Sequence, residues 1–164
     1  VQKAEKAREA GQCIGEALPE LRDIMHKIKE TYDVHKSNVG VGSTIFAVKP
    51  GDGSAREQAA SCQKVLGGWA NIANEYATKR YRSNLINWGM LPFIIDKGEL
   101  PFENGDYIFI PEIQDAIKNK VSTIKAFVVN KDMKEFELKL DELTDDERQI
   151  ILDGCLINYY RENK

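Results

Sequence analysis

The most informative segment of the chain is Gly51-Asp-Gly-Ser-Ala-Arg-Glu57, which follows the run Ser43-Thr-Ile-Phe-Ala-Val48. That run is short, apolar and rich in β-branched residues, so it predicts a buried strand. Residues 49–54 contain a proline and two glycines, which require a turn. Residues 55–66 are good helix formers, and Gly67-Gly68 ends the helix. The segment therefore predicts a strand, a tight loop and a helix in succession.

The loop between that strand and that helix has the composition of an anion-binding site. Its glycines let the backbone approach a ligand closely, and the unpaired N–H groups at the start of the helix attract anions. Arg56 adds a planar cation that is suited to a carboxylate. Ser54 places a hydroxyl beside these donors. We therefore predict a small carboxylate pocket with a hydroxyl at its rim.

Two other interpretations of this loop are open at the level of sequence. Many Gly-x-Gly-Ser loops only turn the chain, and serine is a common N-cap, so Ser54 could have a purely structural role. A nucleotide-phosphate loop is disfavoured, because the Walker spacing with its Lys-Ser/Thr pair is missing and the loop has only two glycines.

The other segments predict a mixed α/β or α+β protein built in layers. The last third is the clearest part, because the runs 123–129 and 134–140 predict an antiparallel hairpin. Thr144-Asp-Asp-Glu147 is a capping-box signature, and one helix is expected after it with Ile150, Ile151, Cys155, Leu156 and Tyr159 on one face. Further helices are predicted over residues 1–17, 19–32, 79–88 and 111–118, and further strands over 69–76, 91–95 and 107–110.

Composition excludes several classes of protein. The chain has 164 residues, with 23 basic and 26 acidic side chains and a net charge of -3, which predicts one domain over residues 1–164. This balance lacks the basic footprint of a nucleic-acid-binding protein. The basic cluster Lys79, Arg80 and Arg82 is either a solvated face or a group that helps to steer an anionic substrate, and we favour the solvated face. No run approaches the roughly 18 apolar residues of a membrane span, and no secretory signal is present, so we expect a cytoplasmic protein.

The cysteines and histidines are too few for a metal centre. Cys13, Cys62 and Cys155 are odd in number and widely spaced, which does not suggest a disulfide framework or a zinc site. We expect buried, reduced thiols. His26 and His35 are expected at the surface, and the chain alone cannot build an iron–sulfur or zinc site.

Four motifs in one order, with characteristic gaps, resemble the C-terminal swivel domain of the aconitase family. The match covers about residues 43–95, and the tail over residues 143–160 also looks like the closing helix of dehydratases in this superfamily. The motifs are Gly51-Asp-Gly-Ser-Ala-Arg-Glu-Gln-Ala-Ala60, Leu66-Gly-Gly68, Ser83-Asn-Leu85 and Gly89-Met-Leu-Pro-Phe93.

The resemblance implies both a fold and a reaction. The fold is a swivelling β/β/α-type layered domain with flanking helices and a C-terminal hairpin plus helix. The reaction is a hydro-lyase reaction, in which water is added to or removed from a hydroxy-polycarboxylate. By motif position Ser54 is the base that takes the proton alpha to a carboxylate, and Arg56 binds a substrate carboxylate. Gly53 and Ala55, on either side of Ser54, are the other substrate-binding positions.

The chain departs from the family pattern at two site positions. The second serine of the motif is replaced by Ala55 and its histidine by Gln58, so a changed substrate, an altered rate or lost activity would follow. The threonine-aspartate-histidine motif that usually opens this domain is absent, as is the cysteine triad of the cluster. The start at Val1 rather than Met predicts a fragment of a larger chain.

The resemblance also implies partners. We expect no cofactor in this chain, a [4Fe–4S] cluster in the missing domains, a polycarboxylate substrate, and either cluster-bearing domains or a large subunit as partner. The isolated chain is therefore expected to be inactive. Two alternatives stay open: a non-catalytic binding or interaction module with the same fold, and the small subunit of a two-chain dehydratase, against which the Val1 start speaks. RNA binding, which some members of the superfamily show, is disfavoured by the acidic balance. Asn84 is either near the active-site loop or an ordinary polar helix residue.

Overall fold

The computed structural model describes residues 1–12, 14–35 and 37–162, and in these residues it has eight α-helices and six strands. The strands lie in the order β1-β2-β3-β6-β5-β4, which confirms the predicted mixed α/β class. No helix among these residues combines the length and the apolar composition that crossing a membrane requires. The strands are β1 (Ser43–Ala47), β2 (Gly68–Ala73), β3 (Leu91–Ile94), β4 (Ile108–Phe109), β5 (Thr123–Val128) and β6 (Lys134–Leu140). The helices are α1 (Gln2–Glu9), α2 (Ile14–Ala17), α3 (Glu20–Lys29), α4 (Arg56–Val65), α5 (Lys79–Asn87), α6 (Ile113–Lys118), α7 (Asp145–Leu152) and α8 (Leu156–Glu162).

The chain divides into two compact units, each assembled from three segments. The first unit comprises Val1–Gly42, Glu99–Pro111 and Lys125–Phe136, and the second comprises Ser43–Gly98, Glu112–Ile124 and Glu137–Lys164. The assignment of residues 1–164 to one swivel domain stays a prediction. The candidate loop and all of its supporting residues belong to the second unit.

The first unit has a core formed by one face of α3 and by aromatic rings. Leu21 and Ile28 of α3 are buried. Tyr32 packs against the rings of Phe109 and Phe127, with ring centroids 5.1 and 5.8 Å away. The rings of Phe109 and Phe127 come from the antiparallel pair β4 and β5, so the aromatic contacts join the helical segment to this pair.

The second unit is organised around three parallel strands. β1 pairs with β2, and β2 pairs with β3, both in parallel, while the end of β6 pairs antiparallel to β3. Ala60 of α4 and Tyr81 and Leu85 of α5 form a buried cluster with Met90, which directly precedes β3. Because parallel strands end at the same edge of a sheet, the loops that follow β1, β2 and β3 are neighbours.

The prediction that the first strand is buried is wrong. β1 lies at the edge of the sheet and pairs only with β2. Ile45 is therefore 42% exposed and Val48, just after the strand, is 61% exposed. An apolar run reports the propensity of the segment to form a strand, but it does not report how many neighbours that strand has.

The prediction of a single closing helix is also wrong, although the predicted beginning of that helix is confirmed. Thr144 and Glu147 form the capping box at the start of α7. Residues 153–155 then break the helix before α8, with Gly154 at φ +88°. Gly89 lies against this break, since a Cβ atom added to Gly89 would be 1.9 Å from the Gly154 carbonyl oxygen. The predicted hairpin is confirmed as the neighbouring strands β5 and β6.

The prediction of buried thiols fails for the cysteines that the structure describes. Cys62 is exposed, Cys155 is half-buried, and both are free. Cys62 lies on the solvent-facing side of α4, where a small apolar residue carries little cost. Cys13 lies outside the described residues.

α6 ends in a hydrogen-bonded turn that normally takes glycine. Lys120 N–H donates to Ile117 O (3.3 Å) and Val121 N–H donates to Ala116 O (2.9 Å), which is the Schellman pattern. The residue at the left-handed position of this turn is Lys120, at φ +58°. A side chain in this conformation brings Cβ close to the following carbonyl oxygen.

We predict that Lys120→Gly stabilises the protein, by about 1 kcal/mol of unfolding free energy, because it removes this crowding. Lys120→Ala is the control, since it removes the same exposed ion pair with Asp145 but keeps Cβ. Thermal unfolding of both variants tests the prediction, with a rise in Tm of about 2–4 °C for glycine over alanine. Equal Tm values for the two variants would contradict it.

Candidate functional site

The candidate loop lies where the three parallel strands end. Residues 48–51, after β1, run beside residues 75–78, after β2: Glu75 N–H donates to Val48 O (3.2 Å) and Ala77 N–H donates to Pro50 O (2.9 Å). Ligands of open α/β sheets bind outside the carboxyl ends of the strands. The motif-bearing loop therefore lies at the edge where this architecture places ligands.

Side chains join the end of β2 to the end of β3 at the same edge. The Asn74 amide donates to Ile95 O (3.0 Å), and the Tyr76 hydroxyl donates to Phe93 O (2.9 Å). Burial raises the pKa of the Tyr76 hydroxyl well above its ordinary value, so the hydroxyl keeps its proton and the bond persists at any physiological pH. These bonds fix the backbone on which the candidate loop rests.

Gly51 is the point at which the loop is packed most tightly. Its φ is +98°, and a Cβ atom added there would lie 2.5 Å from the Cβ and Cγ atoms of Tyr81. Its carbonyl oxygen accepts hydrogen bonds from Arg56 Nε (3.0 Å) and Thr78 Oγ1 (3.3 Å). Only glycine suits this position, on both conformational and steric grounds.

Tyr81 is buried beneath the loop and is held by two amides. The residue is 2% exposed. Its hydroxyl accepts from the Asn71 amide of β2 (2.8 Å) and from the Gln63 amide of α4 (2.9 Å). Asn71 is itself 1% exposed, so losing the tyrosine hydroxyl would leave a buried donor without a partner.

Ser54 is exposed, and none of the hydrogen bonds among the described residues involves its hydroxyl. It does not cap α4, because the N-cap residue is Ala55 and no side chain caps that end. The structural interpretation of Ser54 as an N-cap is therefore not what the structure shows. Gly53 and Ala55 are exposed beside it.

The first turn of α4 leaves backbone donors next to Ser54. The intrahelical bonds begin with Ala59 N–H, which donates to Ala55 O (3.0 Å). The N–H groups of residues 56–58 precede that bond, and they have no intrahelical acceptor. Because no side chain caps this end of the helix, these N–H groups can donate hydrogen bonds to an anion.

Arg56 folds back onto the loop that precedes it. Its Nε donates to Gly51 O, and its Nη2 lies 3.5 Å from Asp52 O. A guanidinium has five N–H groups, so three of them are left over for a ligand. The arrangement orients a cation without neutralising it.

The other residues raised by the sequence are dispersed around the loop. Gln58 is exposed in the first turn of α4, and Asn84 is half-buried in α5. The proposed solvated face of three basic residues is wrong for Arg82, which pairs with Glu147 (3.5 Å) and donates to Glu142 O (3.0 Å). Lys79 and Arg80 are exposed.

One ion pair borders the loop. Lys49 and Glu75 pair across the two adjacent loops. The hydrogen bond and the charge of Lys49 lower the pKa of the Glu75 carboxyl, and the same contact raises the pKa of the Lys49 ammonium. The ion pair thereby partly neutralises the charge of Lys49. Arg56, two residues after Ser54, is the nearest cation in the sequence.

Thr78 and Tyr81 were missed by sequence reasoning as parts of this site. Thr78 precedes a helical run and is a recognisable N-cap, but nothing in the sequence places its hydroxyl on Gly51. That contact depends on the pairing of β1 with β2, which brings residues 51 and 78 together across 27 positions.

The described residues do not fit a metal centre. No group of three or more His, Cys, Asp or Glu side chains in this part of the chain is arranged to hold a metal ion. The described residues therefore provide no ligand set for an iron–sulfur cluster.

Comparison with known families agrees with this loop architecture. The model of the family "Aconitase C-terminal domain" matches residues 17–98, which include the whole candidate loop. The chain belongs to the aconitase C-terminal domain family. The resemblance inferred from the motifs is thereby confirmed.

Two individual relatives are named as an aconitate hydratase and as a homoaconitase small subunit. Aconitate hydratase A of Rickettsia bellii is 30% identical over 156 residues, which is 91% of this chain and 17% of that protein. The methanogen homoaconitase small subunit of Methanocaldococcus jannaschii is 35% identical over 116 residues, 70% of this chain and 58% of that protein. The chain thus spans well under two thirds of the length of either relative.

A solved structure also shares this fold. The crystal structure of 3-isopropylmalate dehydratase from Methanocaldococcus jannaschii aligns with a TM-score of 0.57 and 28% identity. The alignment covers 85% of this chain and 75% of that one. The predicted swivel-type α/β architecture is therefore confirmed.

We predict that alanine at position 51 lowers the stability of the protein, whereas alanine at position 53 does not. Gly51→Ala should destabilise the protein by about 3 kcal/mol, because it combines a positive φ with a clash on Tyr81. Gly53→Ala is the matched control, since a Cβ atom there meets nothing within 4 Å. Denaturant unfolding of both variants tests this. A Gly51→Ala variant as stable as Gly53→Ala would contradict the close packing.

Proposed function

We propose that this chain supplies half of the active site of an aconitase-type hydro-lyase that acts on a hydroxy-polycarboxylate. Ser54 is the base in this proposal, and Arg56 binds a substrate carboxylate. The observation that carries the proposal is that an exposed serine hydroxyl, without a hydrogen bond among the described residues, and a guanidinium oriented by Gly51 O lie two residues apart in the motif-bearing segment of this family.

The chemistry asked of Ser54 is removal of a proton from a carbon next to a carboxylate. A hydroxyl of ordinary pKa is a weak base, so its alkoxide form must be stabilised. The free N–H groups of residues 56–58 and the positive end of α4 supply such stabilisation. Arg56 adds a positive charge where the substrate carboxylate gains electron density as the proton leaves.

The need to stabilise the alkoxide of Ser54 also indicates that the chain cannot work alone. Electrostatic stabilisation of this kind needs a site from which water is excluded. Ser54, Gly53 and Ala55 are all exposed, so nothing in the described part of the chain covers them. The second half of the site must come from a partner region that closes over the loop.

We propose that the partner region also carries the iron–sulfur cluster and the remaining substrate contacts. Two arrangements satisfy this proposal: further domains of one long chain, or a separate large subunit. The match to a protein whose name is homoaconitase small subunit supports the second arrangement. The match to aconitate hydratase A supports the first.

A non-catalytic module is the alternative that the departures Ala55 and Gln58 leave open. Both residues are exposed on or just after the loop, so both replacements alter the surface offered to a substrate. Neither replacement touches Gly51, Thr78 or Tyr81, which build the loop. Because the residues that hold the loop are in place, we favour a changed substrate over a lost site.

Ser54→Ala should lower kcat by about 10²–10⁴-fold, the contribution typical of a positioned base, with little change in KM. The measurement is steady-state hydration or dehydration by the full-length protein or the assembled complex. Ser61→Ala, on α4 and outside the loop, is the control and should keep wild-type kcat. An unchanged kcat in Ser54→Ala would remove Ser54 from the mechanism.

The isolated chain should show no hydro-lyase turnover with citrate or related hydroxy-polycarboxylates, because the base has no dry environment. Adding the partner region should restore turnover. A coupled absorbance assay for the unsaturated product measures both states. Full turnover by the pure chain, without partner or iron, would overturn the proposal of a half-site.

A further inference from the structure

Arg56 is a long side chain oriented by backbone carbonyls: Gly51 O is its shorter contact, and its Nη2 lies 3.5 Å from Asp52 O. Its Nε donates to Gly51 O at 3.0 Å, and this bond fixes the plane of the guanidinium. Arginine otherwise loses considerable rotamer freedom when it binds a ligand. A guanidinium held in place before binding loses less, so it binds more tightly.

The carbonyl of Gly51 is in turn fixed from two sides. Thr78 Oγ1 donates to it at 3.3 Å, and the backbone of Gly51 rests on the Tyr81 side chain, so that a Cβ atom there would lie 2.5 Å away. Any rotation of the Gly51 peptide would break the first contact or clash with the second.

We propose that Thr78 and Tyr81 are positioning residues that orient Arg56 toward a substrate carboxylate through the carbonyl of Gly51. This inference rests on the function proposed above for Arg56. Neither residue touches the substrate in this arrangement, and neither takes part in proton transfer.

Thr78 has the hydrogen-bonding capacity for this role. A threonine hydroxyl has one donor and two acceptor positions. Its hydrogen goes to Gly51 O, while its oxygen accepts from Tyr81 N–H at 3.2 Å as the N-cap of α5. The start of α5 and the Gly51 peptide are therefore tied to a single atom.

Tyr81 is fixed at both ends. Its backbone N–H is bound by Thr78, and its hydroxyl is bound by Asn71 of β2 and Gln63 of α4. The ring is thus held rigidly between the sheet and the two helices. Because the ring is buried, solvent cannot replace the hydrogen bonds that hold it.

The chain provides a matched control for the loss of a helix cap. Thr144 caps α7 by accepting Glu147 N–H at 3.2 Å, the same bond that Thr78 makes at the start of α5. The hydrogen bonds of Thr144 among the described residues are with α7, and none of them reaches the loop of residues 51–55. Thr78→Val and Thr144→Val therefore lose the same cap, but only Thr78→Val also loses the bond to Gly51.

The first experiment measures kcat and KM in the full-length protein or assembled complex. Thr78→Val should raise KM for the polycarboxylate about tenfold, approaching Arg56→Lys, with kcat per folded enzyme within about threefold of wild type. Thr78→Ser should restore KM, and Thr144→Val should leave it unchanged. A wild-type KM in Thr78→Val, or an equal rise in Thr144→Val, would overturn the proposal.

A second experiment does not depend on activity. The Arg56 Nε–H proton, observed by NMR in the same protein, should exchange with solvent about tenfold faster in Thr78→Val and in Tyr81→Phe, because its acceptor is no longer held. In Thr144→Val the exchange rate should stay at the wild-type value. Unchanged exchange in both loop variants overturns the positioning role even if the enzyme is active. Faster exchange in a protein without hydro-lyase activity supports it while the proposed function fails.

Discussion

The contact between the backbone of Gly51 and the ring of Tyr81 is the constraint on which the loop depends. It requires a residue without a side chain at position 51, since a Cβ atom would lie 2.5 Å from the ring. It also requires a ring that does not move, which explains why two amides hold the Tyr81 hydroxyl. Once this contact is made, Gly51 O faces Arg56 and Thr78 together. The positions of Ser54 and Arg56 follow from a packing contact several residues away from either.

The placement of the loop follows from the parallel strands of the second unit. Because β1 and β2 run in the same direction, the segments that leave them continue side by side, and residues 48–51 bond to residues 75–78. A loop braced on one side by the neighbouring loop can leave its other side open. Exposure of Ser54 is thus compatible with a rigid backbone, and rigidity before binding is what an electrostatic site requires.

Sequence reasoning predicted the local structure around the loop well, because that structure depends on local chemistry. Pro50 and the glycines require a turn, and Gly67 at φ +92° ends α4 as expected. It failed where the outcome depends on distant parts of the chain. The exposure of β1 depends on its place at the sheet edge, and the break before α8 accompanies the approach of Gly89 to Gly154. Thr78 was missed for the same reason, since its bond to Gly51 spans 27 positions.

The residues that hold the loop differ from the exposed residues on it, and this difference helps to interpret the replacements Ala55 and Gln58. The supporting residues Gly51, Thr78 and Tyr81 make bonds and contacts that the fold needs in order to hold the loop. Ala55 and Gln58 are exposed, so replacing them costs the fold little, and they are free to vary with the ligand. The bond that orients Arg56, from its Nε to Gly51 O, involves neither Ala55 nor Gln58. The two replacements therefore bear on what the loop would bind and not on how the loop is held, which agrees with the proposal of a half-site with a changed substrate.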